Sequence, residues 1–397
     1  MTALPRLSPA FTGDRLFPVN AAYMARTDSV QTRLLGIKPY NLESITLALM
    51  GLLNGCPTVR HRSGVTDAAL ALLESAGLTI SEDMRIYEDD VQAERHGDDL
   101  ISEGYKLFWP YPLRESRFPA DGHIVSPELW RHLNAKRYLS QLVPASNVAP
   151  REIVPLERMT MFEFKHPVFL KAGGEAPTAS GFAVRYCPDR EHVLRAVEWF
   201  RENDIQEVIV EEALPIETSW CATIVVGQDR AAYIGAAEQL FEAPGKQSGS
   251  IIDEANPLPE SGAQLAVVAG EEARKQGFIG VAGLDIGQTS DGELVVFDPN
   301  FRFNASSVQV FLHRSAAERA GLAVSVSAHL PSSLTVDDLA RTIRGPIDDG
   351  WLVPTRVIDG TLLPTAGAAS IFTGFVLGAD RAGAAANREA LERLLKP

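Results

Sequence analysis

The stretch Val281–Ser307, VAGLDIGQTSDGELVVFDPNFRFNASS, constrains this chain more than any other. It reads as two short strands joined by a turn, the second closing on Asp298-Pro299-Asn300-Phe301-Arg302. Successive side chains on a strand alternate between faces, so Asp298 and Asn300 project from one face. Asp285 sits in the partner strand, and register decides whether it joins them, because a one-residue slip moves every side chain across the sheet. If Gly287 pairs with Gly292 over a four-residue connection, Asp285 lies opposite Leu294, on the face of Val296, Asp298 and Asn300. A five-residue connection puts Asp285 on the wrong face unless a bulge corrects it. The apolar run Leu294–Phe297 marks a packed strand, and a carboxylate ending such a strand needs a partner. Two carboxylates and an amide make an oxygen-rich pocket suited to Mg²⁺ rather than Zn²⁺. The neighbouring Arg302 suits a phosphate or a developing oxyanion. Together these residues predict an enzyme that handles ATP.

At 397 residues the chain exceeds one compact core, and two or three domains are expected. Its 51 acidic against 37 basic residues give a formal charge of −14, which argues against a nucleic-acid or anionic-membrane partner. Cys56, Cys187 and Cys221 are far apart, with neither metal nor disulfide spacing, so a reducing cytoplasm is the expected setting. No apolar run approaches the roughly 18–20 residues that cross a bilayer. The opening MTALPRLSPAFTGDR lacks the apolar segment of a secretory signal.

Residues 1–125 read as an α/β region without a dinucleotide fingerprint. Ser44–Leu53 and Asp67–Ala76 look helical, and Phe108–Pro112 is aromatic and proline-rich. Ser126-Pro127-Glu128 opens a helix with an N-cap, a first-turn proline and an acid, and the apolar spacing carries it through Ala135, Tyr138, Leu139 and Leu142. Pro167–Lys171 is a buried strand ending in lysine, followed by the small-residue loop Ala172–Gly181, a strand Phe182–Cys187 and a helix from Asp189 to Asn203. Val208–Glu211 is another apolar strand, and Trp220–Val226 pairs with Ala231–Ala236. Ser261–Gln264 fits a capping box for a helix that stops at Gly277. From 331 onward a helix, short strands and a final helix Ala384–Leu395 form a small α/β appendage.

Two further segments bear on chemistry. In KAGGEAPTASG, Lys171–Gly181, small residues let backbone amides approach phosphate while Lys171 supplies charge. It is not a Walker A loop, and a plain hairpin is its ordinary reading. Glu211, Glu212 and Glu217 follow an apolar strand; they are either a solvated edge or a hinge presenting polar groups to adenine and ribose.

In chain order these features resemble the ATP-grasp fold of carboxylate–amine ligases over residues 130–330. The resemblance implies an α/β (α+β) architecture with an N-terminal pre-ATP-grasp domain (1–125), an ATP-grasp catalytic region (126–330) and the C-terminal appendage (331–397). It implies that Lys136 and Lys171 bind nucleotide phosphates, that Glu211, Glu212 and Leu214 form the adenine hinge, and that Glu217 meets the ribose. Asp285, Asp298 and Asn300 match the family's metal set, with Asp298 replacing the usual glutamate, so one Mg²⁺ or two would bind and Mn²⁺ could substitute. Arg302 matches the charge-stabilising arginine. Gly283 departs from relatives that carry arginine there, a role left to Arg302 or Lys246. Ser248, Gly249 and Ser250 are either acceptor lining or a surface loop, and His313 beside Arg314 is either a substrate contact or a satisfied helix histidine.

The two flanking regions are similar to the pheganomycin-type peptide ligases. The implied reaction activates a small carboxylic acid with ATP to an acyl phosphate, which an amine, amino acid or peptide attacks to give an amide, ADP and phosphate. The resemblance admits a homodimer. The alternatives are an ATP-grasp carboxylase, a small-molecule kinase, or an inactive ATP-binding regulator.

Overall fold

The computed structural model describes residues 4–27, 33–36, 38–111, 117–163, 165, 167–178 and 181–396. Pro112, Ala179 and Ser180, which belong to segments singled out above, lie outside the described residues. Three sheets carry the fold. The first is parallel, with β1 (Ala21–Met24), β2 (Pro57–His61), β3 (Asp83–Tyr87) and β4 (Lys106–Phe108) in the order β3-β2-β1-β4. Every residue of β1 and β2 is buried, as expected when crossover segments cover both faces of a parallel sheet.

A small antiparallel sheet follows, formed by β5 (Arg151–Pro155), β6 (Val168–Ala172), β7 (Val184–Cys187) and β8 (Glu207–Glu212) in the order β5-β8-β6-β7. The helix Arg190–Glu202, capped by the Asp189 side chain, buries Val193, Ala196, Val197 and Phe200 in the same core as Leu170 and Val208.

The third sheet is the backbone of the molecule. Its strands are β9 (Ile216–Val226), β10 (Ala231–Ala243), β11 (Lys246–Asp253), β12 (Gly280–Thr289), β13 (Leu294–Asn300), β14 (Val324–Ser332), β15 (Leu352–Asp359) and β16 (Ser370–Gly378). They run antiparallel in the order β13-β12-β9-β10-β11-β14-β16-β15. One face of β12 and β9 (Ala282, Leu284, Ile286, Ala222, Ile224) packs against Ala266, Ala269 and Ala273 of the helix Glu260–Lys275. Each fully buried leucine or isoleucine there contributes about 1.5–3 kcal/mol. The opposite face is left for polar work. Because β14, β16 and β15 continue this sheet, the C-terminal α/β segment is continuous with it, and the boundary expected after residue 330 falls inside β14. Among the described residues no helix is long and apolar enough to cross a membrane.

Three local expectations are corrected. Ser44–Leu53 is not one helix: a short α-turn Asn41–Ser44 and a 3₁₀ turn Ile45–Leu47 give way to Leu49 at φ 64° and Gly51 at φ 76°. The fully buried Arg60 guanidinium takes the carbonyls of Thr46 and Ala48, both at 2.5 Å, so those acceptors cannot serve a helix. The helix from Ser126 does receive its cap, Ser126 accepting from the Leu129 amide, but it ends at Asn134. Ala135 is extended at ψ 117°, and a 3₁₀ segment Lys136–Gln141 follows. Ser261 caps nothing, because the helix already starts at Glu260 behind Pro259.

Candidate functional site

The hairpin β12–β13 adopts the odd register with a corrective bulge. Gln288 pairs with Leu294 over the five-residue connection 289–293, and Ile286 pairs with Val296. The ladder then skips Phe297, so that Asp285 faces Asp298 and Gly283 faces Asn300. The four-residue alternative is not the one formed. The bulge restores the parity that brings Asp285, Asp298 and Asn300 to one face, and it frees the Phe297 carbonyl from the ladder.

That carbonyl accepts from Lys171 Nζ at 3.4 Å. Lys171 lies on β6 and meets Glu211 of β8 diagonally, Nζ to Oε1 2.5 Å; Arg151 of β5, directly opposite Glu211, reaches its other oxygen at 2.6 Å. Burial pushes the Lys171 ammonium below its ordinary pKa, and Glu211 opposes that shift. The end of the preceding helix at Ala135 swings Lys136 out of helical register, and its Nζ meets Asp298 Oδ1 at 2.5 Å. The Lys136 carbonyl accepts from Arg151 at 3.1 Å. Two lysines from separate elements therefore converge on the bulged strand, where the small sheet abuts the edge of the large one.

Asp285 lies half-buried beside Asp298. Burial first, and the neighbouring charge second, raise its pKa to about 6, while the Cys221 thiol and the Gln239 side chain hydrogen-bond to it. Among the described residues no group of three or more His, Cys, Asp or Glu is arranged to hold a metal ion. Arg302 is buried and fixed on three sides: Nε donates to the Tyr111 hydroxyl (2.9 Å), one terminal nitrogen to Asn134 Oδ1 (3.0 Å) and the other to the Thr178 carbonyl (3.3 Å). The loop after β6 thus reaches the same arginine as the strand end after β13.

Other expected residues separate. Glu212 and Glu217 are exposed, and Leu214 is half-buried in the short link between β8 and β9. Lys246 sits at the exposed tip of the β10–β11 hairpin, paired with Glu242, and does not join the cluster. Ser248 is exposed, whereas Ser250 is buried and donates to Gln309 Oε1 at 2.7 Å. His313 is buried against Ser325, 2.8 Å away, as a packed helix histidine, and Arg314 pairs with Glu318 in solvent. The sequence reading missed Arg151, Tyr111, Asn134, Cys221 and Gln239. Only Arg151 leaves a trace there, a cation opening a strand destined to pair with one that ends in acid.

Two family models match this chain: the N-terminal domain of L-aspartate–L-methionine ligase over residues 12–131, and the ATP-grasp domain of the same ligase over residues 149–300. This chain belongs to the ATP-grasp ligases. It is an ATP-dependent enzyme joining a carboxylate to an amine through a C–N bond. Solved structures share the fold at low identity. N5-carboxyaminoimidazole ribonucleotide synthetase in its ADP complex has a TM-score of 0.56 at 12% identity, covering 98% of each chain. An L-amino acid ligase from Bacillus licheniformis gives 0.54 at 12%, covering 95% of this chain and 98% of that one. The biotin carboxylase domain of Hydrogenobacter thermophilus 2-oxoglutarate carboxylase, in complex with MgADP, ADP and bicarbonate, gives 0.53 at 13%, covering 90% and 86%.

Proposed function

We propose that this ligase condenses two amino acids, an acidic one such as L-aspartate and an apolar one such as L-methionine, and that the Lys136–Lys171–Asp285–Asp298 cluster is its nucleotide site. The observation that carries the reading is the convergence of Lys136 and Lys171 on the bulge at Phe297, each held by a carboxylate that phosphate oxygens can displace. In the reaction a substrate carboxylate oxygen attacks the γ-phosphorus of ATP and ADP leaves. The amine of the second amino acid then attacks the acyl carbon, phosphate departs, and the amine loses a proton.

In this reading Lys136 and Lys171 hold phosphate oxygens as point charges. Glu211 and Arg151 fix Lys171 from behind. Glu211, Glu212 and Leu214 line the adenine side through the β8–β9 link, with Glu217 beyond them near the ribose. Arg302, immobilised by Tyr111 and Asn134, is pre-aimed at negative charge developing on the acyl group. The Thr178 contact lets the loop after β6 close over that charge and exclude water.

The donor set fits a hard divalent cation. Asp285 is forced toward its protonated form by burial and by Asp298, and a cation between them removes that penalty. Asp285, Asp298 and Asn300 would hold Mg²⁺, and the short Asp298 side chain favours one ion rather than two; when bound, the ion neutralises phosphate charge.

The test is ADP release with L-aspartate, L-methionine and Mg²⁺, and product mass by spectrometry. Release that needs both amino acids, with a product lighter than their sum by one water, is expected. ATP consumption that follows bicarbonate, or that proceeds without any amine, would overturn the proposal.

A further inference from the structure

At the opposite edge of the eight-stranded sheet lies a row of polar side chains that the nucleotide cluster does not use. His329 of β14 pairs with Thr373 of β16, which pairs with Arg356 of β15. Directly paired residues share a face, so all three side chains form one row across three strands. The face can be followed back through the ladders. Asp285 pairs with Cys221 and Cys221 with Ala237; Gln239, two residues on, pairs with Ser250, whose amide donates to Ser327 Oγ of β14. His329 is two residues beyond Ser327. The row therefore lies on the same face as Asp285.

Its charges are not balanced. One terminal nitrogen of Arg356 donates to the Ser44 carbonyl (2.8 Å) and the other to Thr373 Oγ1 (3.3 Å). Its Nε is sealed from solvent and has no hydrogen-bond partner. Among the described residues no carboxylate forms an ion pair with Arg356 or Lys38. Burial pushes the Arg356 guanidinium below its ordinary pKa, and Tyr23 and Tyr40 oppose that shift. His329 bridges the Tyr40 hydroxyl (3.4 Å) and Thr373 Oγ1 (3.0 Å). Burial, then Arg356 and Lys38, hold that imidazole below its ordinary pKa, so it stays neutral. Lys38 and part of His329 reach solvent and form the rim of the row. A desolvated cation without a counter-ion is costly, and such a group persists where an anion completes it.

We propose that Arg356, with Lys38, Tyr40, His329 and Thr373, forms a carboxylate-binding subsite that holds an amino-acid substrate of the ligase. A carboxylate admitted beside the guanidinium would supply an acceptor to the unpaired Nε and share the terminal nitrogen that now donates to Thr373, a side-edge fork that matches its two oxygens. Hydroxyls and a neutral imidazole beside it supply donors without adding charge, and Lys38 at the rim attracts the anion. Phosphate fits less well, because only one fork is free. The inference rests on the amino-acid ligase reading for the substrate's role, but not for the existence of the subsite.

The experiment uses the full chain, its Arg356→Met and Lys38→Met variants, and calorimetric titration with L-aspartate and with L-methionine in the presence of ADP and Mg²⁺. We expect one of the two amino acids to lose about tenfold or more in affinity in Arg356→Met, and about two- to fivefold in Lys38→Met. ADP affinity should stay within about twofold of the parent. Thermal stability of ligand-free Arg356→Met should hold or rise, the opposite of what a structural arginine would give. Unchanged amino-acid affinity, no amino-acid binding by the parent, or a parallel fall in stability and ADP affinity would each overturn the subsite. Arg356-dependent binding without amino-acid-dependent ADP release would leave the subsite standing and remove the ligase reading alone.

Discussion

The two edges of the eight-stranded sheet carry cations in opposite condition. Toward β13, Lys136 is held by Asp298, while Lys171 and Arg151 share Glu211. On β15, Arg356 has two oxygen acceptors and, among the described residues, no carboxylate partner. At the first edge each of these cations has a carboxylate partner before any ligand arrives. In the proposed reading, binding there is an exchange: phosphate would take the lysines, and the released carboxylate would become available to a cation. The second edge keeps an uncompensated charge that an incoming anion completes. The contrast suggests why one chain can retain a nucleotide pocket as a rigid, self-paired structure and still keep a strong preference for a carboxylate elsewhere.

The largest effect should come from removing a phosphate-holding charge. Lys171→Met is expected to lower amino-acid-dependent ADP release by about 10²–10³-fold, measured in single turnover, with a similar loss for Lys136→Met. Retained turnover in either would dissolve the distinction between the edges. Next is stability: Glu211→Gln leaves Lys171 and Arg151 buried without their acid, and should cost about 3 kcal/mol in urea denaturation. Arg356→Met should cost nothing comparable, and equal losses would mean that the two edges are built alike.

A smaller effect concerns Asp285. Its folded pKa lies above the unfolded value, so it contributes stability fully at low pH and loses it as pH rises through about 6. In EDTA, Asp285→Asn should therefore melt a few degrees above the parent at pH 8 and alongside it at pH 5. Calorimetry of both proteins at the two pH values checks the sign. The smallest effect is acid sensitivity away from both edges. Burial holds His61, His123 and His313 below their ordinary pKa. Their contribution is intact above about pH 6.5 and falls as pH drops. The urea midpoint should decline from pH 7 to 5, and His313→Gln should flatten that decline slightly.

Much of the region from Ser126 to Asn300 was legible because its elements are local: the Ser126 cap, the helix from Asp189, the apolar strands, and the parity argument for Asp285 all follow from residues close in sequence. The bulge was foreseeable only as a condition, since nothing within 289–293 says which register wins. What escaped reading depends on distant partners. Ser44–Leu53 has helical composition, yet Arg60 claims its carbonyls. Lys136 was taken to lie on a continuing helix, whereas the break at Ala135 is what turns it toward Asp298. Nothing in the sequence singles out Arg356, because its lack of an acid partner among the described residues is a property of three strands and a distant loop together.

Gly283 adds a constraint on how such enzymes can diverge. A Cβ at that position would stand 2.0 Å from Asn304 Nδ2 and 2.9 Å from Cys221 Sγ, and the Asn304 amide itself donates to Cys221 at 3.1 Å. A bulky residue at 283 and the present Asn304 rotamer therefore exclude each other. A residue with a Cβ at 283 requires the Asn304 amide to leave that rotamer and its bond to Cys221. The two positions should behave as one inherited character, changing together or not at all, and a library that randomises 283 alone should return glycine.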